Sequence, residues 1–370
     1  MKNASWRTPI GVCLAALLCV CSGYAKPTPN TLKITARYEV PWTGSHARDV
    51  RWAGPSSVYL AREAHGVAEL ELAEGLAQRR ELVPQLKTFG NFWGFKRLAV
   101  SRDYLLVGAQ ARHLAWRSLP RKPGGRVLFT RRPFGNIDDV DLAGDRIVLL
   151  GNPSSGAEPS PPGIVWVGSL AKELSDLRPV LRDAAEEAGA EESDWNHYKC
   201  AGLGLGAVRF LADGTFLVVP GFQPGAALFT AGGRRARTWT SEQIGSTTDC
   251  TSLTYPELDK LVLLPEKIIP WFGQHRVVDE ILALPQGPAL VVRYQGTDGK
   301  VRWVLNVLRR EGVKTYAIPL TDDRELGRLK GDVRAGRIVF LLYEMLPRRG
   351  ATPRVDELFI AEIPELQPGK

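Results

Sequence analysis

The stretch Val208-Arg-Phe-Leu-Ala-Asp-Gly-Thr-Phe-Leu-Val-Val219 decides the fold. It predicts a β-hairpin, because a short alternating strand and a run of apolar residues flank a tight turn at Asp213-Gly214. The same unit recurs at residues 50–60, 98–107, 140–150, 281–292 and 333–342. A supersecondary unit that returns along the chain indicates a repeat architecture.

Two further strand-like segments follow most of these hairpins. They lie at residues 113–119 and 126–132, 226–230 and 235–240, and 301–308 and 313–320. Four short antiparallel strands every 40 to 50 residues are typical of a β-propeller blade. Successive hairpins start 48, 42, 68, 73 and 52 residues apart, which predicts inserted loops at about 182–205 and 241–276. We therefore predict an all-β protein, with a single six-bladed propeller over residues 26–370.

The last repeat lacks a fourth strand. Its third strand is predicted at residues 355–363, after which the chain is rich in Pro and Gly. The segment 31–40 is strand-like and otherwise unassigned, so we expect it to complete the last blade and remove the open sheet edge. A further hairpin signal at 253–264 leaves a seven-bladed ring with one reduced blade as the alternative. One helix is predicted at 183–192.

The first 25 residues have the organisation of a signal peptide. Lys2 and Arg7 precede an apolar run at 10–21, and Gly23 and Ala25 form a small-x-small cleavage site. The apolar run is shorter than the roughly 20 residues that span a bilayer. We expect a mature protein that starts at Lys26, has no membrane span and is periplasmic or extracellular. Lipidation at a cysteine of the signal is the alternative.

Cleavage would leave two of the five cysteines, Cys200 and Cys250. Two cysteines in an exported protein predict one disulfide, with two separate buried thiols as the alternative. The net charge of +8 falls to +6 when Lys2 and Arg7 are removed. The positive charge is scattered, which indicates solvated turns, with affinity for anionic polymers or lipid headgroups as the alternative. Export and the lack of a binding motif disfavour nucleic acid. The arginine doublets begin at Arg79, Arg131, Arg234, Arg309 and Arg348.

The loops that lead into the innermost strands of a propeller meet at one mouth of its channel. Carboxylates and imidazoles gathered there could bind a divalent cation such as calcium or carry out acid–base catalysis. Alternatively, these residues only cap turns. A Cys200–Cys250 disulfide would tie the two inserted loops together over the mouth. The candidate binding residues are His46, Asp49, Trp93, Asp138, Asp139, Asp194, His197, Tyr198, His275 and Asp332.

The repeat resembles the six-bladed β-propeller superfamily of exported bacterial proteins. Within it, Ala283-Leu-Pro-Gln-Gly-Pro-Ala-Leu-Val-Val-Arg293 and Leu261-Val-Leu-Leu-Pro-Glu266 are similar to the phytase-like esterase domain. That resemblance implies hydrolysis of an ester or phosphate. The acidic Glu-x-Leu step that this family places before such hairpins reads Thr251-Ser252-Leu253 here.

Two functions follow from these patterns. The first is a monomeric, non-catalytic scaffold that binds a protein or small-molecule ligand at the mouth. The alternative is a hydrolase of the phytase-like esterase or phosphatase type, in which mouth carboxylates act with a metal ion or with His197 as the acid–base group. A hydrolase requires these side chains to converge, whereas a scaffold does not.

Overall fold

A computed structural model describes thirteen segments of the chain. Within them, 24 strands form six four-stranded antiparallel sheets, and two helices lie between the fourth and fifth sheets along the chain. The described residues are 30–40, 46–62, 66–73, 75–83, 95–109, 113–119, 128–129, 136–152, 164–181, 205–221, 225–248, 265–345 and 355–363.

Each sheet is one blade, and its four strands follow one another along the chain except in blade 6. Blade 1 consists of β2 (Ala47–Trp52), β3 (Ser57–Arg62), β4 (Gly66–Ala73) and β5 (Gly75–Val83). Blade 2 consists of β6 (Phe95–Val100), β7 (Tyr104–Ala109), β8 (His113–Ser118) and β9 (Leu128–Phe129). Blade 3 consists of β10 (Asn136–Ala143), β11 (Arg146–Asn152), β12 (Val165–Ser169) and β13 (Arg178–Leu181). Blade 4 consists of β14 (Gly206–Phe210), β15 (Phe216–Pro220), β16 (Ala226–Phe229) and β17 (Arg235–Trp239). Blade 5 consists of β18 (Val277–Leu284), β19 (Gly287–Gln295), β20 (Val301–Leu308) and β21 (Val313–Asp322). Blade 6 consists of β22 (Gly327–Arg334), β23 (Arg337–Glu344), β24 (Glu357–Glu362) and β1 (Lys33–Glu39).

The six innermost strands are the first strands of the six predicted hairpins. Each of them contacts the innermost strands of the blades before and after it, and β22 contacts β2, so the ring is closed. Because β14 of blade 4 lies directly beside β18 of blade 5, no seventh blade fits between them. The predicted six-bladed propeller is therefore confirmed. The hairpin at 253–264 and the helix at 183–192 lie outside the described residues.

The N-terminal strand closes the ring, as predicted. β1 pairs antiparallel with β24, from Lys33 opposite Glu362 to Glu39 opposite Glu357. Val40 N extends this contact by donating to Asp356 O at 2.8 Å, and at the other end of β1 Leu32 N donates to Ala317 O in β21 of blade 5 at 3.0 Å. The last blade thus joins both ends of the described chain in one sheet, and its outer edge is β1.

The second strand of each hairpin is apolar along its whole length because neighbouring blades cover both of its faces. In β23, the residues from Ile338 to Leu342 are all buried. They divide between two apolar clusters, one shared with blade 5 and the other with blade 1. A strand covered on both sides has no solvent face, so its sequence does not alternate. This packing explains the consecutive apolar residues of every repeat.

The ring has two faces. The entry face is where the chain enters the innermost strands, through His46, Leu205, Arg276 and Leu326. The turn face carries the hairpin turns at 53–56, 101–103, 144–145, 211–215, 285–286 and 335–336, together with the turns between third and fourth strands. The segments 182–205 and 241–276 join fourth strands to the next innermost strands, so both begin and end at the entry face.

The second of these segments contains helices that the sequence pattern does not predict. Helix α1 (Ser241–Ile244) starts with a capping box between Thr240 and Gln243 and ends at Gly245, whose φ of 70° is left-handed. Helix α2 (Pro265–Gln274) packs Ile268 and Phe272 into an apolar cluster that also holds Leu205 and Leu326. Pro270 lies inside α2, and a proline in a short apolar run is read from sequence as a loop.

Candidate functional site

The structure describes six of the ten predicted mouth residues. Asp49, Asp138 and Asp139 are buried in the innermost strands β2 and β10, whereas His46 and His275 lie just before innermost strands at the entry face. Trp93, Asp194, His197 and Tyr198 lie outside the described residues, as do Cys200 and Cys250. The disulfide and the densest part of the predicted mouth therefore stay predictions.

Asp332 is not in an entry loop, contrary to the sequence expectation. It is the sixth residue of β22, close to the turn face, and its carboxylate accepts a hydrogen bond from Trp52 N at 2.9 Å. The hairpin pattern started this repeat at Val333, but β22 already begins at Gly327. Because Lys330-Gly331-Asp332 in the middle of β22 shows no alternation of apolar and polar residues, the pattern did not indicate that the strand begins earlier.

The buried carboxylates of blades 1, 3 and 5 each hold the backbone of the following blade. Asp49 accepts from Leu98 N at 2.9 Å, Asp139 accepts from Val208 N at 2.9 Å, and Asp279 accepts from Leu329 N at 3.0 Å. A buried N–H must find an acceptor. These acids therefore join blade 1 to 2, blade 3 to 4 and blade 5 to 6.

The innermost strands carry β-bulges beside these acids. The pairing register shifts next to Asp49 in β2, next to Asp139 in β10 and next to Glu280 in β18, and a similar shift lies next to Arg97 in β6. A bulge adds one residue to a strand and changes the direction of the side chains beside it. In these four strands the bulge therefore lies beside a charged side chain that faces a neighbouring blade.

Cations face these acids, mainly from blades 2, 4 and 6. Arg209 lies 2.7 Å from Glu280 and 3.4 Å from Asp141, and Lys330 Nζ lies 3.6 Å from Glu280. Arg97 and Arg328 pair with Asp139 and Asp279, and Arg51 pairs with Asp49 at 2.9 Å. All of these side chains are buried. We call this set the channel ion network: Asp49, Arg51, Arg97, Asp139, Asp141, Arg209, Asp279, Glu280, Arg328 and Lys330.

Glu280 is the most connected acid of the channel ion network. Burial raises the pKa of a carboxyl, but the charges of Lys330, Arg209 and Arg51 outweigh burial and hold the pKa of Glu280 well below its usual range. Burial dominates at two other acids, where it raises the pKa of Asp49 and raises the pKa of Asp141 to about 6. The network thus contains one acid whose pKa is lowered, Glu280, and two acids whose pKa values are raised, Asp49 and Asp141.

Asp141 gives the fold a pH dependence of definite sign. Its pKa is about 6 in the folded protein and 3.8 as an ordinary value, so the folded state binds the proton more tightly and its stabilising effect is lost as the pH rises through 6. We expect the free energy of unfolding of the wild type, relative to that of Asp141→Asn, to fall by on the order of 3 kcal/mol as the pH rises from 4 to 6.5. Urea unfolding of both proteins across this range measures the difference, and a difference that is constant with pH would contradict the assignment.

A buried His–carboxylate pair lies at the entry face between blades 6 and 1. His46 Nδ1 is 3.1 Å from one oxygen of Asp356, and Ala47 N donates to the other oxygen at 2.7 Å. Both side chains are buried. His46 was a predicted site residue, whereas Asp356 was missed because a single acid before a strand carries no signal of its own.

His275 belongs to a different part of the entry face. It follows α2, where its ring stacks on Trp271 with centroids 4.3 Å apart and its Nδ1 lies 2.7 Å from Trp271 O. The structure does not join it to the channel acids by any hydrogen bond or ion pair among the described residues. Across all the residues that the structure describes, no group of three or more His, Cys, Asp or Glu side chains is arranged to hold a metal ion.

Helix α2 covers part of the channel ion network at the entry face. The Phe272 ring lies 5.2 Å from the guanidinium carbon of Arg293 and 5.9 Å from that of Arg328. Arg293 also donates to Phe272 O at 3.2 Å, and burial lowers its pKa to about 10. The helix therefore shields the arginines of blades 5 and 6 from solvent with an apolar residue.

No helix in the described ranges is both long enough and apolar enough to cross a membrane. This observation concerns helix α2 above all, since it is the longer of the two described helices at 10 residues.

Comparisons with known proteins find likeness in structure alone. No protein-family model and no curated protein matches the sequence. A member of the DUF4221 family from Bacteroides vulgatus is 10% identical, with a TM-score of 0.49 over 90% of this chain and 98% of that one. The WD40 β-propeller domain of Doa1 is 11% identical, with a TM-score of 0.43 over 90% and 97%. Streptogramin B lyase is 10% identical, with a TM-score of 0.43 over 82% and 79%.

Proposed function

We propose that this chain is an exported β-propeller that acts as a non-catalytic scaffold and binds a protein or small-molecule partner at its entry face. The observation that carries this proposal is the use of the predicted mouth acids. Asp49 and Asp139 are fully buried and accept hydrogen bonds from the next blade. A catalytic carboxylate has to contact its substrate, whereas these two hold the ring together.

The entry face is the proposed binding face because the long insertions begin and end there. Segments of this length in a compact domain are commonly functional. The export part of the proposal is supported by the basic, apolar and small-residue order of residues 1–25.

Site-directed photocrosslinking in the native host tests the binding face. A photoreactive amino acid at Gln274, an exposed residue of α2 at the entry face, is expected to form a discrete adduct. The same amino acid at Ala212, in an exposed hairpin turn on the turn face, is the matched control and is expected to form no protein adduct. Equal adducts at both positions, or an adduct at Ala212 alone, would refute the proposed binding face.

Hydrolysis of a phosphate or carboxyl ester is the second candidate function, favoured by the His46–Asp356 pair. A carboxylate bonded to Nδ1 orients an imidazole for general-base work. The resemblance of 283–293 to the phytase-like esterase domain points to the same chemistry.

The two candidates differ in one assay. The mature protein from Lys26 is screened against chromogenic phosphate and carboxyl esters, with calcium and with a chelator, and its thermal midpoint is recorded in both. The scaffold is expected to leave every ester intact and to melt at the same temperature with chelator. Turnover that is lost in His46→Asn would establish the hydrolase instead.

A further inference from the structure

The turn face carries a group of cations on three adjacent blades, which we call the basic sector. Five of its seven side chains are exposed, and two, Arg309 and Lys314, are half-buried. They occupy outer strands or the turns beside them, so they lie toward the rim of the ring. The basic sector consists of Arg178, Arg234, Arg235, Arg237, Arg309, Arg310 and Lys314.

Contacts between blades make the basic sector continuous. Arg178 at the start of β13 donates to Gly232 O in the turn of blade 4 at 3.2 Å. Arg237 in β17 lies over the Trp239 ring at 4.6 Å and reaches the backbone oxygens of Arg309 and Arg310 in blade 5 at 3.5 Å. Each guanidinium is thus held against the next blade, and three turns present their charge side by side.

Few acids balance this charge in blades 4 and 5, where the turn face has two exposed acids among the described residues, Asp213 and Glu311. The Asp213 carboxylate accepts hydrogen bonds from Thr215 N and Oγ1. The turn of blade 3 is mixed, because it carries Lys172, Glu173 and Asp176 beside Arg178, and Lys172 Nζ lies 3.2 Å from Asp176. The described turns of blades 1, 2 and 6 are also mixed, because cations and acids are nearly equal in number there. Their cations are Lys33, Arg102, Arg334 and Arg337, and their acids are Glu71, Asp103 and Glu362.

We propose that the basic sector docks the protein onto an anionic phospholipid surface, with the phosphates of the headgroups as its ligands. Guanidinium groups match phosphate oxygens in geometry and charge. The cations come from the ends of three blades and so spread over one end of the ring, which fits a surface of many headgroups. They do not line a groove for a single chain.

The docking is electrostatic and involves no insertion of apolar side chains. Val355 is the only exposed large hydrophobic among the described residues, at 41% exposure, and it precedes β24 at the entry face. A protein held by the basic sector would lie with its turn face on the lipid and its entry face toward solvent. Taken singly in the sequence, the doublets at Arg234 and Arg309 indicate solvated turns, whereas their clustering across blades favours the lipid alternative.

Vesicle flotation tests the proposal with a pair of charge-matched variants. The probes are phosphatidylcholine vesicles with and without roughly one third phosphatidylglycerol. Arg234→Glu/Arg235→Glu changes the basic sector, and Arg102→Glu/Arg334→Glu makes the same change of net charge at exposed turns of blades 2 and 6. We expect the wild type to bind only the anionic vesicles, the sector variant to lose at least about 30-fold in partitioning, and the control to lose less than about 3-fold.

The salt dependence and a second variant complete the test. Binding is expected to weaken steeply as ionic strength rises, because exposed charges are screened. If Arg234→Glu/Arg235→Glu fails to melt like the wild type, Arg310→Glu/Lys314→Glu takes its place. The proposal would be overturned if the sector and control variants lost vesicle partitioning equally. It would also be overturned if the wild type bound neutral vesicles as well as anionic ones, or if a folded sector variant bound as strongly as the wild type. None of these results bears on the partner of the entry face.

Discussion

Glu280→Gln is expected to lower the free energy of unfolding by roughly 3–5 kcal/mol, because removing one member of a buried ion network leaves its partners uncompensated. Glu280 is fully buried and lies within 3.6 Å of Arg209, Arg51 and Lys330. Glutamine retains the size of the side chain but removes the charge that these three cations share. Urea unfolding at neutral pH measures the loss.

The exposed ion pair of Asp298 and Arg302 supplies the control. Its atoms are also 2.7 Å apart, but solvent screens it, and exposed pairs contribute little to stability. Asp298→Asn is therefore expected to leave the unfolding midpoint unchanged. If the two variants unfold at the same urea concentration, the channel ion network does not stabilise the ring as described.

Acid should erase the difference between Glu280→Gln and the wild type. The folded pKa of Glu280 is depressed from 4.5, so its stabilising contribution is complete above about pH 4.5 and is lost as the pH falls toward the folded pKa. The sign is opposite to that of Asp141, whose ionisation destabilises the fold above pH 6. A gap that widens below pH 4.5 would contradict the pairing of Glu280 with its three cations.

Removing the closing strand is expected to have the second large effect. A mature chain shortened to begin at Pro41 loses β1, its six pairs with β24 and the buried Leu32 side chain. At about 1 kcal/mol for each hydrogen bond and about 2 kcal/mol for a buried leucine, the loss is roughly 5 kcal/mol or more. The strand β24 also becomes an open edge, which favours association between copies.

A chain that begins at Asn30 is the matched control, because it keeps Leu32 and all of β1. We expect it to unfold like the mature protein and to elute from size-exclusion chromatography at the same volume. The chain from Pro41 should unfold at lower urea concentration and elute as larger species. Indistinguishable behaviour of the two shortened chains would show that closure by β1 does not stabilise the ring.

Both effects come from the same architecture. Each blade is a small sheet that cannot bury its faces alone, so the ring is stable only when every blade contacts two neighbours. The apolar clusters supply most of this contact, and the channel ion network joins the innermost strands where the blades converge. A closed ring in which each blade is held by its neighbours is a rigid scaffold for loops that bind a partner, which is the function proposed for the entry face.

The candidate site was only partly predictable. Asp49 and Asp139 were identified as acids near the channel, but their role was not, because a carboxylate that caps a backbone N–H and one that binds a metal look alike in sequence. Arg97 and Arg209 were missed altogether. One signal could have found Arg97: the residue just before the repeat is an acid in blades 1 and 3 and an arginine in blade 2. Arg209 lies two positions further along, where blade 3 carries Asp141.

The sequence by itself determined the six hairpins and the closing strand, because those depend on local patterns: strand alternation, turn residues and the interval between repeats. It left six and seven blades open, and the contact of β14 with β18 decided for six. The tertiary structure alone decided which charges neutralise one another and which face water. Asp49 and Leu98 are 49 residues apart in sequence yet share a hydrogen bond, and Glu280 draws its cations from blades 1, 4 and 6. Such contacts arise only when the ring closes, since burial and the approach of distant blades set both the pKa values and the partners.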